Sequence, residues 1–215
     1  MSDPRTRLVA AGYDAMADTW EDWSARVTDD PRHEWLDELL AVLPPEARVV
    51  ELGCGNGTRE TRELAAQTRL IGVDLSEEQL RRARERVPNA EFVHGDLTTI
   101  EFDAGSLDAV ASFYVFNHVP RELLAPLLTR IHSWLTSPGW LLAAFGTGDE
   151  AEWFGDFLGE PSFFSSFAPA VNTELVKDAG FMIERDEVVS ITEPEGSVQF
   201  APEGSVQFQW ILARS

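Results

Sequence analysis

Short apolar runs recur along the first half of the chain, spaced too far apart for simple hairpins. Val49, Val50 and Leu52 make the first, and Leu70, Ile71 and Val73 the second, within residues 69–74. Phe92 and Val93 mark a third within 90–97, and residues 107–113 form a fourth. Helical stretches stand between them, one over 58–66 and one carrying Arg81, Arg82, Ala83, Arg84, Glu85 and Arg86. Strands alternating with helices predict a parallel sheet with helices on both faces. Upstream, residues 8–43 read as helices: Trp35, Leu36, Leu39, Leu40 and Leu43 recur at helical spacing after Pro31. Trp20 and Trp23 are spaced to reach one helix face, and Pro44–Pro45 closes the segment before a sheet that starts near Ala47. Downstream come a helix over 121–135, a turn at Ser137, Pro138 and Gly139, and a fifth strand over 140–145. An aromatic-rich loop over 146–169 follows, then a helix over 172–179 stopped by Gly180, and strands over 181–191 and 206–213.

The chemistry concentrates where the first run ends. Glu51 precedes Gly53, Cys54, Gly55, Asn56 and Gly57, and a helix starts at Thr58. Glycines at alternate positions bend the backbone sharply, and the free N–H groups of the next helix point into the turn. A strand, a glycine turn and a helix make a nucleotide-type cofactor site at the C-terminal edge of a parallel sheet. The dinucleotide fingerprint has a different spacing, G-x-G-x-x-G, and Thr58 stands where its third glycine belongs. The second and third runs also lead into acids, Asp74 and Asp96. Asp74 is placed to catch ribose hydroxyls; helix N-capping is the other reading of both aspartates.

With these residues the chain resembles the class I S-adenosylmethionine-dependent methyltransferases, of the compact kind that act on small molecules. The likeness runs from about Tyr13 onward and is most specific over 49–113. It implies S-adenosyl-L-methionine as cofactor and an α/β fold: one doubly wound Rossmann-like domain, with a mostly parallel seven-stranded sheet, an antiparallel C-terminal hairpin and helices on both faces. Within it, residues 1–45 would be a helical cap, 46–145 the cofactor core, 146–170 an aromatic substrate lid, and 171–215 the final helix and hairpin. The resemblance places Gly53, Gly55, Asn56 and Gly57 against the cofactor, with Glu51 at its amino group. Asp74 takes the ribose hydroxyls, Leu75 and Leu97 flank the adenine, and Asp96 accepts from the adenine amino group. Phe113 offers its carbonyl, and Tyr13 corresponds to a lid tyrosine.

Charge and composition narrow the substrate. A net charge of −20 over 215 residues, with Lys177 the only lysine, disfavours nucleic acid and anionic membranes. Cys54, the single cysteine, sits in the turn, which excludes a disulfide framework and a cysteine nucleophile and fits a reducing cytoplasm. No Asn/Asp-Pro-Pro-aromatic motif follows the fourth strand; Phe113, Tyr114, Val115 and Phe116 stand there. His33, His94, His118 and His132 show no metal-ligand spacing. The N-terminal residues carry no apolar signal core, and no run reaches transmembrane length. A small-molecule acceptor is therefore expected, with no nucleic acid or membrane partner and the oligomeric state left open.

Sulfonium methyl transfer needs alignment and exclusion of water, with a general base where the acceptor carries a proton. His118, just past the fourth strand, is the candidate base; a helix-start residue bonded to backbone is its competing role. Tyr114, Asp149 and Glu152 are weaker candidates. Tyr114, His118, Trp153, Phe163 and Phe164 are expected to wall the substrate pocket; half of the aromatic residues in 146–169 are expected only to pack. The acids Asp149, Glu150, Glu152, Asp156 and Glu160 hint at a cationic acceptor. Two other readings stay open: a protein or peptide methyltransferase, and a nucleotide-binding module without methyl transfer, or a dinucleotide oxidoreductase. Finally, Pro194–Phe200 recurs identically as Pro202–Phe208. The even period keeps side-chain parity, so either copy could enter the last strand and the other should loop out.

Overall fold

The computed structural model describes residues 3–194 and 205–215. Three helices come first: α1 (Pro4–Ala15), α2 (Ala17–Ser24) and α3 (Arg32–Val42). Then β1 (Arg48–Leu52), α4 (Arg59–Gln67), β2 (Arg69–Asp74), α5 (Glu77–Arg86), β3 (Glu91–His94) and β4 (Leu107–Ser112) alternate. A 3-10 turn over Phe116–His118 leads into α6 (Arg121–Trp134), followed by β5 (Leu135–Gly146). A separate hairpin of β6 (Trp153–Phe157) and β7 (Glu160–Phe164) precedes α7 (Pro169–Asp178), β8 (Met182–Thr192) and β9 (Ser205–Arg214). The seven-stranded sheet runs β3-β2-β1-β4-β5-β9-β8. All pairings from β3 to β5 are parallel, and β9 runs antiparallel to both β5 and β8.

Both faces of the sheet are buried, so its central strands read as continuous apolar runs instead of alternating ones. Side chains still alternate by face. Val50, Val110, Leu141, Ala143 and Phe145 pack with Leu127, Ile131, Trp134 and Val176 from α6 and α7. Val49, Ala109, Ala111, Leu142 and Ala144 pack with Trp35 and Leu39 of α3 and Leu64 of α4. Trp35 stacks on Trp210 with ring centroids 5.7 Å apart, a contact worth about 0.5–1.5 kcal/mol beyond its burial. Arg185 lies over the Trp35 ring, 4.0 Å from its centroid.

Local signals explain the helix starts. Asp3 caps α1 by accepting from the Arg5 N–H at 2.8 Å, and Ser76 caps α5 by accepting from the Gln79 N–H. Asp14, near the end of α1, accepts from the Ser76 hydroxyl at 2.5 Å and from the Glu78 N–H at 3.1 Å. Arg82 and Arg86 on α5 bind Asp18 and Glu21 on α2. The N-terminal helices are thereby fastened over the C-terminal edge of the sheet.

Two elements differ from the sequence reading. Residues 146–169 are not a structureless loop, because Trp153–Phe157 and Glu160–Phe164 pair as a hairpin whose residues meet in register. The fifth strand begins at Leu135, and the Ser137–Gly139 turn lies inside it as an irregularity opposite Leu107 and Ala109. The second copy of the repeat enters β9 at Ser205 and pairs with β8 through Thr192. The first copy beyond Pro194 lies outside the described residues.

Candidate active site

The strand ends, the N-terminal helices and the β6–β7 hairpin enclose a cavity of about 700 Å³. Of the residues expected from the sequence, Tyr13, Glu51, Gly53, Gly55, Asp74, Leu75, Asp96, Leu97, Phe113, Tyr114, His118, Trp153 and Phe164 line it. Asn56, Gly57 and Phe163 do not. Asn56 is buried in the turn and its carbonyl accepts from Arg86. Gly57, at φ +76°, lets α5 approach: a Cβ there would stand 3.0 Å from Val87 and 3.1 Å from Ala83. Phe163 is on the wrong face of its strand. Cross-strand pairs Trp153–Phe164 and Phe154–Phe163 must point to opposite sides; the first pair takes the cavity, and the second lies behind it with Arg5 over the Phe163 ring.

The glycine turn is held by its neighbours. Gly53 has φ +74°, and a Cβ there would lie 2.2 Å from Val115, so no other residue fits. The Gly55 N–H donates to Asp74 Oδ2 at 2.8 Å, and the Ser76 N–H donates to Asp74 Oδ1 at 2.9 Å. Asp74 is thus fixed between the first and second loops by backbone N–H groups on both oxygens. It does not cap α5; Ser76 does. Asp96 is held by the Thr98 N–H and hydroxyl at 2.8 and 2.6 Å. Burial raises the carboxyl of Asp74, and it pushes Glu51 up to about 8 against the pull of the Thr61 hydroxyl and the Arg32 guanidinium. Cys54 is buried, and burial first, then the charges of Asp74 and Glu51, hold its thiol well above its ordinary value, as an inert filler requires.

Buried polar atoms without partners among the described residues point into this space. Glu51 Oε2, both side-chain polar atoms of Gln79, and Thr6 Oγ1 are such atoms on residues at most 4% exposed, and all three residues line the cavity. Each orphan costs about 1–3 kcal/mol. Their set of acceptors and donors suits a ligand with an ammonium, hydroxyls and a heteroaromatic edge, so the residues present fit S-adenosylmethionine.

At the other end, Tyr13 and His118 form a pair. The Tyr13 hydroxyl lies 3.0 Å from His118 Nε2, and His118 Nδ1 lies 2.9 Å from the Phe163 carbonyl. A carbonyl only accepts, so Nδ1 carries the proton and Nε2 accepts from the Tyr13 hydroxyl. Burial lowers His118 to about 4, so the imidazole is neutral at pH 7. The sequence pointed to His118 as a base acting directly; its basic nitrogen is instead engaged by Tyr13. Tyr114 has φ +59°, a left-handed backbone that a bulky residue adopts only under constraint. Its ring packs on Phe208 and Trp210, and its hydroxyl donates to Asp30 at 2.9 Å. Asp149 and Glu152 are not part of the site: Asp149 pairs with Arg121 at 2.7 Å and Glu152 with Arg5 at 2.5 Å.

The sequence reading missed Arg32, Asp30, Gln79, Asn117 and Glu193, all of which line the cavity. Arg32 is the only arginine or lysine among the lining residues described. It binds Asp30 at 2.8 Å and Glu60 at 3.5 Å, and lies over the Tyr114 ring. Only its place directly behind Pro31, at the start of α3, hinted at it. Among the described residues no group of three or more His, Cys, Asp or Glu side chains is arranged to hold a metal, and no helix is long and apolar enough to cross a membrane.

The family described as "Methyltransferase domain" matches residues 49–139. A trans-aconitate 2-methyltransferase of Azoarcus sp. is 35% identical over 131 residues, covering 58% of this chain and 49% of that protein. One of Variovorax paradoxus is 38% identical over 117 residues, covering 50% and 44%. The chain spans about half the length of the curated relatives it matches. The 1,6-didemethyltoxoflavin-N1-methyltransferase of Burkholderia thailandensis, solved with its substrate and S-adenosylhomocysteine, superposes with a TM-score of 0.68 at 20% identity, over 95% of this chain and 84% of that one. The magnesium protoporphyrin IX methyltransferase of Synechocystis PCC 6803, with S-adenosylmethionine, gives 0.67 at 19% over 99% and 98%. Residues 49–139 thus match the methyltransferase-domain family, and the sheet order is that of a fold shared with solved S-adenosylmethionine-dependent methyltransferases.

Proposed function

We propose that this protein transfers a methyl group from S-adenosylmethionine to a small molecule held in the same cavity. One observation carries the reading: a single cavity joins the fixed carboxylates of the strand ends to the Tyr13–His118 pair and a set of aromatic walls. When bound, S-adenosylmethionine supplies a methyl group already activated on a sulfonium. Glu51 Oε2 accepts from its ammonium and Arg32 balances its carboxylate, while Asp74 accepts from the ribose hydroxyls. Asp96 and Gln79 meet the polar edge of the adenine, and Leu75 and Leu97 cover its faces. The Phe113 carbonyl completes the set.

The chain's own residues then orient the acceptor and manage its proton. Tyr13 donates to His118, so its oxygen keeps lone pairs free to accept from the nucleophile's N–H or O–H. His118 acts through Tyr13 as a positioning residue, itself held by the Phe163 carbonyl. Trp20, Trp23 and the β6–β7 hairpin exclude water. Aromatic walls drawn from three separate segments support a small acceptor over an extended peptide. The trans-aconitate activity named for the relatives is not carried over, because the chain spans only about half of their length.

Calorimetry of S-adenosylhomocysteine and of NAD, on wild type and Asp74→Ala, tests the reading. Saturable binding of the first, lost in the variant, is expected. Binding of NAD alone, or of neither, would overturn it.

A further inference from the structure

We infer that the acceptor is a flat aromatic ring system carrying an O–H or N–H, held at the Tyr13–His118 end of the cavity by a collar of protein rings. This deepens the methyl-transfer reading and rests on it for the place of the cofactor. Tyr13 meets Trp20 with ring centroids 6.4 Å apart and His118 with centroids 5.4 Å apart. His118 lies 4.5 Å from Phe164, Phe164 lies 5.5 Å from Phe157, and Phe157 lies 5.5 Å from Trp23. Trp20 and Trp23 are three residues apart on α2, so they share a face of that helix and close the circuit. All six residues line the cavity, and Trp153, 5.4 Å from Phe164, adds a seventh ring.

The circuit draws on α1, α2, the 3-10 turn, β6 and β7, and four of its five ring contacts cross at 66° to 88°. Edge-to-face contact of this kind is favoured beyond the area it buries. A flat aromatic guest meets edges and faces from several sides, whereas a saturated ring of the same skeleton gains the burial alone. The collar carries no charge at pH 7, because burial lowers His118 to about 4 and raises the Tyr13 phenol. It therefore offers ring contact, not ion pairing. It also abuts the cofactor loop, since a Cβ on Gly55 would stand 3.5 Å from the Trp20 ring.

Two polar atoms on these walls are buried without a partner among the described residues. Trp23 Nε1 belongs to the collar and only donates; Asn117 Oδ1, on the residue before His118, accepts. Leaving such groups unpaired is costly. A carbonyl or ring nitrogen on the guest would answer the first, and an N–H the second. The O–H or N–H that receives the methyl group belongs at the Tyr13 oxygen, whose own proton is given to His118.

The test is titration calorimetry at pH 7 on protein loaded with S-adenosylhomocysteine. The probes are 2-naphthol and decahydro-2-naphthol, which share a skeleton and a hydroxyl and differ in aromaticity. The first should bind about tenfold or more tightly than the second. Phe157→Leu and Trp23→Leu each exchange a collar ring for an aliphatic side chain, and each should shrink that ratio severalfold. Affinity for S-adenosylhomocysteine, which also reports folding, should stay within about twofold. Phe154→Leu, at an exposed ring outside the cavity lining, should leave the ratio unchanged. Equal binding of the two alcohols, no binding of 2-naphthol, a ratio unchanged in both collar variants, or an equal fall in Phe154→Leu overturns the inference. The wild-type comparison decides by itself if the collar variants do not fold. If S-adenosylhomocysteine fails to bind the wild type, the methyltransferase reading falls, and the same comparison on the free protein still decides the aromatic selection.

Discussion

The two ends of the cavity are built in opposite ways. At the end proposed for the cofactor, the three carboxylates come from the last residues of β1 and β2 and from the loop after β3, and neighbouring loops hold them: Asp74 is gripped by Gly55 and Ser76. At the acceptor end, each group depends on a partner far away in the chain. Tyr13 meets His118 across 105 residues, His118 meets Phe163 across 45, and Tyr114 meets Asp30 across 84. A local framework holds a constant ligand; a framework of distant side chains can be reshaped for a different acceptor without disturbing it.

Substitutions at one end should leave the other alone. The largest effect is expected for Asp74→Ala, which removes a fixed double acceptor and should weaken S-adenosylhomocysteine by about 100-fold or more in calorimetry. Tyr13→Phe should lower turnover by about 100-fold with S-adenosylhomocysteine affinity within about twofold. His118→Ala, acting through Tyr13, should cost about tenfold, and the double variant should fall no further than Tyr13→Phe. A cofactor affinity lost along with turnover would break the division.

Glu51 sharpens the comparison through pH. Its carboxyl has a folded value of about 8 against an ordinary 4.5, so the unfolded chain gives up this proton first. Its contribution to stability is full below pH 4.5, and it falls by about 1.4 kcal/mol per unit as the pH rises towards 8. Glu51→Gln should therefore raise the melting temperature of the ligand-free protein at pH 8. An ammonium bound to ionised Glu51 must expel a proton at pH 7, visible as a calorimetric enthalpy that varies with the buffer's ionisation heat. An enthalpy independent of buffer would place the ammonium elsewhere. The smallest effect is expected at the fastening of α2 to α5, where Arg82 meets the exposed carboxylate of Asp18. Arg82→Ala should change the release rate of S-adenosylhomocysteine by no more than about threefold, and less at high salt.

Much of the cofactor end was legible in the sequence because its signals are local: apolar runs, an acid at each end, and a glycine turn of defined spacing. Asn56 and Gly57 lie off the cavity lining, and spacing cannot say which residue of a glycine turn faces a cavity and which faces a helix. The acceptor end was only half legible. His118 could be found, yet its state depends on Tyr13 and Phe163, which no local pattern joins to it. Strand parity would have separated Phe164 from Phe163, but only once Trp153–Phe157 and Glu160–Phe164 were known to form a hairpin. Arg32 and Asp30 look like ordinary helix-start charges until α3 is set against Tyr114.

Six of the seven tryptophans fall into two groups that make the protein its own optical instrument. Trp20, Trp23 and Trp153 face the cavity, whereas Trp35, Trp134 and Trp210 are sealed in the two cores at no more than 1% exposure. A ligand that fills the chamber changes the surroundings of the first three and leaves the core emission untouched. Unfolding floods all of them with water and shifts the whole spectrum to the red. Partial quenching without a red shift therefore signals occupancy, and acceptor libraries can be screened by light alone, without a label or a coupled assay.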